Sequence, residues 1–341
     1  MKNVQQWLLP LAKPFSLNHF IHLSGQRLLL PFYHSIKAKS KLPHLENLYP
    51  LRTKEQFEAD LDYLLEHYEA ISLSELVACI EEDKEVRKNS FFLSFDDGLR
   101  ACYDLIAPIL KRKGVPACFF LNSAFVDNQK LFYRYKVSLL LDQINHKPPS
   151  KSLTKKLETI LQKSELEGWT MREQILSINY QQKELIEELA QLLKVDFKKF
   201  LVQEQPYLTT TQIQAMEKDG FQFGAHSIDH PLYEDLSPLD QIVQTKESLH
   251  FIETHCRQAI RSFAFPFTDD GVSASFFDKM HQEQILDISF GTAGLKKDSC
   301  PFHFQRLPME VGAYSAAEII KSTYAYYLAK APLGKNLVLR S

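Results

Sequence analysis

The chain has 341 residues, and its 40 Lys and Arg against 42 Asp and Glu leave a formal net charge of −2. With 45% hydrophobic and 24% charged residues, the composition is that of an ordinary globular protein. The near-zero charge argues against a dedicated nucleic-acid-binding protein, which usually carries a basic excess. Because no run reaches the roughly 18 apolar residues of a membrane span, we expect no transmembrane segment.

The N-terminal residues and the cysteines predict where the protein resides. Residues 1–26 show no clean periodicity and are predicted to form an N-terminal arm. Pro10 and Pro14 interrupt its apolar stretch before the core of a signal peptide could form. The five cysteines are widely spaced and contain no C-x-x-C pair, a pattern typical of reduced thiols. These features predict a cytoplasmic protein.

Strands and helices alternate between residues 27 and 126, which we assign to the first part of a barrel domain. Strands are predicted over 28–33, 90–95 and 117–121, and helices after Thr53 and over 99–113. Thr53 and Gln56 have the spacing of a capping box, and Gly114 ends the second helix. This alternation is typical of parallel strands that are joined by helical crossovers.

Residues 127–207 are predicted to form a helical insertion, because every periodic segment there has the spacing of a helix. One helical face carries Leu185, Ile186, Leu189, Leu192 and Leu193. The insertion is either a decoration that only packs on the barrel or a lid that restricts the substrate. The sequence leaves both interpretations open.

The alternation of strands and helices returns in residues 208–341, which form the second part of the barrel domain. Strands are predicted over 221–225, 260–265 and 285–290, and helices over 211–218, 239–255 and 273–280. Ser315 and Glu318 form a second capping box at the start of a C-terminal helix. These units indicate an α/β protein, either a barrel or a doubly wound sheet.

The segment Ser94-Phe95-Asp96-Asp97-Gly98 places two adjacent carboxylates at the end of a predicted strand. Sites in parallel α/β proteins lie at the carboxyl ends of the strands, where the backbone turns and both side chains can face one pocket. The competing interpretation is that Asp96 or Asp97 only caps the helix that follows.

A pair of histidines, His226 and His230, follows another predicted strand. Two imidazoles with this spacing commonly give a metal two nitrogen ligands, although exposed loop histidines are the alternative. A parallel sheet would bring this pair to the same edge as the two aspartates. One carboxylate and two imidazoles leave a tetrahedral metal one open position for water, and the second carboxylate can then take the proton of that water.

Residues 94–98 and 226–230 resemble the first two motifs of the polysaccharide deacetylase family, carbohydrate esterase family four. The resemblance covers roughly residues 27–125 and 207–312. It implies a distorted (β/α) barrel of about seven parallel strands. It also implies that Asp96 is the general base and that Asp97, His226 and His230 hold a divalent metal, usually zinc.

The later family motifs are less complete in this chain. Pro266 and Phe267 fit the third motif, but Ala264 stands where an arginine often lies. We expect Arg261 to be an exposed residue at the start of its strand rather than a partner of Asp96. The tryptophan of the fourth motif and the Leu-x-His of the last motif are absent.

The general acid is therefore left open between two histidines. Tyr33-His34 resembles a Tyr-His motif of one branch of the family, so His34 is the first candidate and His303 the second. A histidine has a pKa that suits either direction of proton transfer. The alternative is that His34 only packs at the end of its strand. We predict Tyr33, Pro266, Phe267 and His303 to contact the substrate.

Together these features predict a metal-dependent hydrolase that removes an acetyl group from an N-acetylated amino sugar of a glycan or glycan precursor. One alternative is a C–N hydrolase that acts on a small non-sugar amide. Another is a catalytically silent relative that only binds sugar. The oligomeric state is left open.

Overall fold

The computed structural model describes residues 10, 12–37, 41–81, 88–162 and 170–340. The α-helices are α1 Leu17–Ser24, α2 Lys54–His67, α3 Leu73–Glu81, α4 Ala107–Lys113, α5 Tyr133–His146, α6 Lys151–Leu161, α7 Met171–Ser177, α8 Glu184–Leu193, α9 Phe197–Glu204, α10 Thr210–Lys218, α11 Pro238–His255, α12 Ala274–Gln282 and α13 Ala316–Lys330. The strands are β1 Leu28–Leu29, β2 Pro31–Tyr33, β3 Ile36–Lys37, β4 Arg52–Thr53, β5 Glu69–Ala70, β6 Ser90–Phe91, β7 Leu93–Phe95, β8 Ala117–Leu121, β9 Gln222–Ala225, β10 Ser262–Ala264, β11 Ile288–Gly291, β12 Lys297–Asp298, β13 His303–Gln305, β14 Leu307–Pro308 and β15 Leu337–Val338.

The main sheet is parallel throughout and has the strand order β13-β11-β10-β9-β8-β7-β2-β14. Its two end strands are consecutive in the chain, with only Arg306 between them. The segment 303–308 therefore pairs with β11 through its first half and with β2 through its second half. This shared segment closes the sheet into a ring of seven strand positions, which confirms the predicted distorted barrel.

Two predicted strands are each divided into two shorter ones. The predicted strand 28–33 breaks at Leu30, and 90–95 breaks at Phe92. Before the break, β1 and β6 pair with each other and with β5 in a small separate sheet. After the break, β2 and β7 pair inside the barrel. The apolar pattern predicted the extended conformation but not the change from one sheet to the other.

The local signals for helix ends are confirmed where the structure describes them. Thr53 and Ser315 each form a complete capping box at the start of α2 and α13. The predicted helix over 99–113 instead begins with a π-helical turn, Cys102–Ile106, and continues as α4. Gly114 ends α4 with a left-handed φ of 67°.

Helices α5 to α9 form a layer with its own hydrophobic cluster. Ile186, Leu189 and Leu193 of α8 pack in this cluster together with α5 residues such as Tyr135 and Leu140. The cluster extends to Leu45 and Leu99 on the barrel side, so the helices cover one rim of the barrel.

The N-terminal part that the structure describes packs on the barrel domain through a helix. Helix α1 contacts α13, and Phe20 stacks on Tyr324. Residues 1–9 and 11 of the predicted arm lie outside the described residues. In the described part of the chain, no helix has both the length and the apolar character to cross a membrane.

Candidate active site

The two aspartates lie at the end of β7, where the backbone turns sharply. Asp97 and Gly98 both have left-handed φ angles, 71° and 62°. A Cβ at position 98 would also lie 2.9 Å from Cδ2 of Leu121, so this turn requires glycine. Both carboxylates are buried, and their hydrogen bonds go to side chains of other elements rather than to the helix that follows. The interpretation as helix caps is therefore wrong.

The two histidines follow β9 and face Asp97. Nε2 of His230 lies 3.2 Å from Oδ1 of Asp97, and Nε2 of His226 lies 3.7 Å from the same atom. Nδ1 of His226 lies 2.7 Å from the carbonyl oxygen of Ala264. Because Nδ1 donates that bond, Nε2 carries the free lone pair. Burial lowers the pKa of His226 to about 4, so its ring is neutral at neutral pH.

These three residues fit a divalent metal. Oδ1 of Asp97 is buried and accepts no hydrogen bond from any residue that the structure describes. Their three ligand atoms lie within 4.8 Å of one another. Burial on its own would raise the pKa of Asp97, but nearby His230 outweighs this and holds the pKa below its usual range. One carboxylate oxygen and two imidazole nitrogens form a donor set that zinc commonly accepts.

The backbone of this region is strained at several non-glycine positions. Asp97, Ser227, His230 and Phe267 have φ angles of 71°, 70°, 63° and 57°. Such conformations cost on the order of 1–3 kcal/mol each and persist only where the surrounding structure enforces them. Their concentration on the loops after β7, β9 and β10 is typical of a functional site.

Asp96 is held by Arg306, a partner that the sequence analysis missed. The guanidinium donates 2.7 and 2.8 Å hydrogen bonds to the two carboxylate oxygens and a third bond to Ser94. It also lies over the rings of Phe32 and Phe120, at 4.4 and 5.3 Å from their centroids. Burial would raise the pKa of Asp96, but the charge of Arg306 outweighs burial and lowers it.

The side-chain alternation along the strands could have identified Arg306. On β13 and β14, Phe304 packs in the barrel interior with Phe92 and Phe120, so the residue two positions later also points inward. Arg261, by contrast, pairs with Asp287 at 2.6 Å and is half-buried at the start of its strand. The expectation that Arg261 is not the partner of Asp96 is confirmed.

His34 forms a pair with Glu310, which lies just after β14. Nδ1 of His34 is 2.5 Å from Oε2 of Glu310, and the ring stacks on Tyr49 at 4.3 Å. Oε1 of the same carboxylate accepts the backbone N–H groups of His34 and Ser35. Burial alone would lower the pKa of His34, but Glu310 outweighs it and raises the pKa to about 9. The ring is thus protonated at neutral pH.

A cavity of about 290 Å³ joins these residues. The cavity is lined by His34, Asp96, His226 and His230, together with Phe267, a residue that is 41% exposed. The structure therefore brings together both carboxylates, both histidines of the second motif and the first candidate for the general acid. The cavity lies at the carboxyl ends of the barrel strands, as the sequence analysis predicted.

Three predicted substrate contacts do not reach this cavity. Tyr33 points to the outer face of the barrel, because adjacent residues of a strand alternate, and its hydroxyl donates to Asp60. Pro266 is buried and is not among the residues that line the cavity. His303 lies on the outer face of β13, where Nε2 is 3.0 Å from Oδ2 of Asp269.

Asp269, Asp298 and His303 form a second cluster that could be taken for a metal site. Arg340 donates to both carboxylates, and Gln305 donates to both as well. The positive charge that this cluster needs is thus supplied by a side chain, and we interpret it as a structural ion-pair network.

The fold and the site together define an α/β barrel protein with a buried, metal-compatible polar centre at the carboxyl ends of its strands. The sequence profile of the polysaccharide deacetylase family matches residues 83–282, which is more than half of the chain. The protein belongs to this family.

Three solved structures have a similar fold. The deacetylase PplD of Streptococcus pyogenes, solved with acetate, is 14% identical with a TM-score of 0.54, covering 87% of this chain and 97% of PplD. IcaB from Ammonifex degensii is 14% identical with a TM-score of 0.52 and the same coverages. A de-N-acetylase from Aggregatibacter actinomycetemcomitans is 13% identical with a TM-score of 0.50, covering 85% and 97%. A search of curated proteins found no match.

Proposed function

We propose that the protein removes the acetyl group from an N-acetylated amino sugar of a glycan or glycan precursor, using a divalent metal held by Asp97, His226 and His230. The observation that carries this proposal is the buried, unpartnered Oδ1 of Asp97 between two imidazole Nε2 atoms, next to a second carboxylate. Zinc suits this donor set best. A metal held by these three residues would supply Lewis-acid chemistry, polarising the acyl oxygen and lowering the pKa of a water molecule.

Asp96 is the general base of the proposed reaction. Its low pKa keeps it ionised, and Arg306 fixes its orientation. Oδ2 of Asp96 lies 4.0 Å from Nε2 of His226. One lone pair of this oxygen accepts from Arg306, and the other is left to accept a proton. Asp96 therefore lines the same pocket as His226 and His230 and can take a proton as water attacks the acetyl carbon.

His34 is the general acid. It is protonated at neutral pH and lines the same cavity as Asp96. As the C–N bond breaks, the ring gives a proton to the leaving nitrogen, while Asp96 holds the proton that it took from water. Once proton exchange with solvent has restored both residues, one water and one acetamide have yielded one acetate and one protonated amine. Glu310 fixes the ring through Nδ1, which leaves Nε2 as the donor to the substrate.

The structure weakens the argument for a catalytically silent sugar-binding protein. That alternative depended on the missing arginine and acid of the later family motifs. Arg306 and the pair of His34 with Glu310 supply groups of the same chemistry from other positions in the chain. A cytoplasmic location stays a prediction.

The test combines metal content and acetate release on the same samples. We expect about one divalent metal per chain in the wild type and loss of both metal and acetate release in His226→Ala. His250→Ala, which changes an exposed histidine of α11, is the matched control and should behave as the wild type. N-acetylglucosamine oligomers are compared with small acetamides as substrates.

The outcomes separate the alternatives. Turnover of small amides alone would favour the non-sugar C–N hydrolase. Oligomer binding without acetate release would favour a silent sugar-binding protein. Absence of metal in the wild type, even after zinc is added, would contradict the proposed centre.

A further inference from the structure

The loop that carries the two histidines has a backbone conformation that its own residues do not favour. Ser227 and His230 have left-handed φ angles of 70° and 63°, although neither is glycine. Such conformations persist only where the surrounding structure enforces them. The backbone after β8 supplies part of this support, because the N–H groups of Ser123 and Ala124 donate to the carbonyl oxygens of Ser227 and Ile228. Neither of these two bonds reaches the backbone of the histidines themselves.

Asn122, directly after β8, does reach both histidines. Its side-chain amide donates to the backbone carbonyl oxygen of His226, and Nδ2 also lies 3.3 Å from Oγ of Ser227. The same hydroxyl oxygen accepts the backbone N–H of His230 at 3.0 Å. One amide therefore holds His226 directly and holds His230 through a single intervening hydroxyl group.

The side-chain amide of Asn122 bonds only the histidine loop among the residues that the structure describes. The residue is buried, and its Oδ1 has no hydrogen-bond partner in that part of the chain. Since a backbone carbonyl oxygen can only accept, the contact with His226 fixes which side of the amide faces the loop and leaves Oδ1 unpaired. An unpaired buried acceptor lowers stability, so the benefit of this amide lies in the loop that it holds.

We propose that Asn122 is a positioning residue of the metal centre, whose amide fixes the histidine loop so that Nε2 of His226 and Nε2 of His230 converge on Oδ1 of Asp97. This role rests on the metal centre proposed above and deepens it. The two ring nitrogens lie 3.7 and 3.2 Å from that oxygen, and a rotation of either histidine backbone would separate them. A residue that orients the ligands without touching the metal should act on metal affinity.

Metal affinity is the first test. Asn122→Leu removes the amide donors at similar volume, and Asn122→Asp replaces them with an acceptor. We expect both variants to bind zinc about 10- to 100-fold more weakly than the wild type in competition with a chelator. The absorption spectrum of bound cobalt, which accepts similar ligands, should change as well. Wild-type affinity and an unaltered cobalt spectrum in folded variants would overturn the proposal.

Asn128→Asp is the matched control. Asn128 is another asparagine after β8, and its side chain also bonds the backbone, but its partner is Tyr207 rather than the histidine loop. This variant should bind zinc as the wild type does. Melting temperatures of all variants confirm that they are folded before affinities are compared. An equal loss of zinc affinity in Asn128→Asp would assign the effect to general destabilisation and overturn the positioning role.

Hydrogen–deuterium exchange separates this inference from the proposed function. It is measured on the full chain, with and without zinc. Because the backbone N–H of His230 donates to the hydroxyl group that the amide holds, this N–H should exchange about tenfold faster in the Asn122 variants and at the wild-type rate in Asn128→Asp. Unchanged exchange would overturn the inference even if the wild type binds zinc and releases acetate. If the wild type binds no metal, the proposed function fails, and faster exchange would still support the role of Asn122 in holding the loop.

Discussion

Arg306 determines the state of Asp96 through both charge and geometry. Its planar guanidinium donates to both carboxylate oxygens and lies over two aromatic rings, an arrangement that a lysine cannot reproduce. The side chain is fully buried, so the ion pair is shielded from solvent.

Arg306→Lys should reduce acetate release about 100-fold, because Asp96, the proposed base, loses its fixed orientation. The charge that lowers the pKa of Asp96 becomes less well placed, so this pKa rises and the acidic limb of the pH–rate profile moves to higher pH. The control is Arg261→Lys, which changes the half-buried pair with Asp287. An unchanged acidic limb in Arg306→Lys would mean that Asp96 is not the base.

Glu310→Gln tests the proposed role of His34 as the general acid. Glu310 raises the pKa of His34 to about 9, and the neutral amide removes that attraction while its oxygen still accepts the two backbone N–H groups. The pKa of His34 should fall toward its ordinary value of 6.5. Since an acid is lost as pH rises through its pKa, the alkaline limb should move to lower pH.

The pH–rate profile of acetate release measures this shift. Glu318→Gln is the control, because that glutamate only completes the capping box at the start of α13. A profile of Glu310→Gln that coincides with the wild type would assign the general acid to another group.

These residues show what the sequence can predict about the site. Asp96, Asp97, His226 and His230 belong to two short motifs, each directly after a strand, so local pattern was enough to place them. Arg306 is 210 positions from Asp96, and their contact depends on how the barrel closes. The same limit explains why the sequence analysis did not identify Glu310 as the partner of His34, since the two residues are 276 positions apart.

At the scale of elements, the helical insertion reaches the metal-ligand candidates. Tyr135 of α5 is fully buried, and its hydroxyl donates a 2.6 Å hydrogen bond to Oδ2 of Asp97. The hydroxyl of Tyr49 lies 3.4 Å from the same oxygen. Oδ2 is therefore engaged by protein donors, and Oδ1 is left for a ligand. The helical periodicity predicted α5, but not which residue of it would face the barrel.

Tyr135→Phe should weaken metal binding about 10- to 100-fold, the usual effect of removing a hydrogen bond to a ligand residue. Competition with a chelator measures this without any assay of activity. Tyr207→Phe is a matched control, because Tyr207 stacks on Tyr135 at 6.0 Å and its hydroxyl bonds the backbone of Phe132 instead. Equal metal affinity in both variants would show that the insertion does not support the metal centre.

At the scale of the whole molecule, the ring closes through one segment that bonds both ends of the sheet. Residues 303–308 bond β11 and β2, and the side chain of Arg306 links the same segment to Ser94 and Asp96 across the interior. The alternation of strands and helices predicted an α/β fold, either a barrel or a doubly wound sheet, and the family resemblance implied the barrel. It could not show that the final strand is shared between two neighbours, since that pairing depends on long-range register.

A second ion-pair network stabilises the outer face of this closing segment. Strand β15 pairs with β12, and Arg340 then reaches Asp269 and Asp298, with its side chain only 3% exposed. Asp269 also accepts a backbone hydrogen bond from Thr292, which lines the active-site cavity. The network thus connects the C-terminal strand to the loop after β11.

Arg340→Met should lower the free energy of unfolding by about 3–5 kcal/mol, because it leaves two buried carboxylates without their cation. Burial alone would raise the pKa of Asp269 and Asp298, but in the wild type His303 and Arg340 hold both below the usual range. Their ionised forms therefore stabilise the fold above the ordinary carboxyl pKa of about 4, and this contribution is lost as pH falls.

Denaturant unfolding at pH 7 and pH 4.5 measures this dependence. The difference between wild type and Arg340→Met should be largest at pH 7 and smaller at pH 4.5, where Asp269 and Asp298 in the variant can take up protons. Arg112→Met, which breaks an exposed pair with Glu58, is the control and should cost at most about 1 kcal/mol at either pH. If Arg340→Met lowered the free energy of unfolding by no more than Arg112→Met does, β15 and its arginine would be dispensable for closing the barrel.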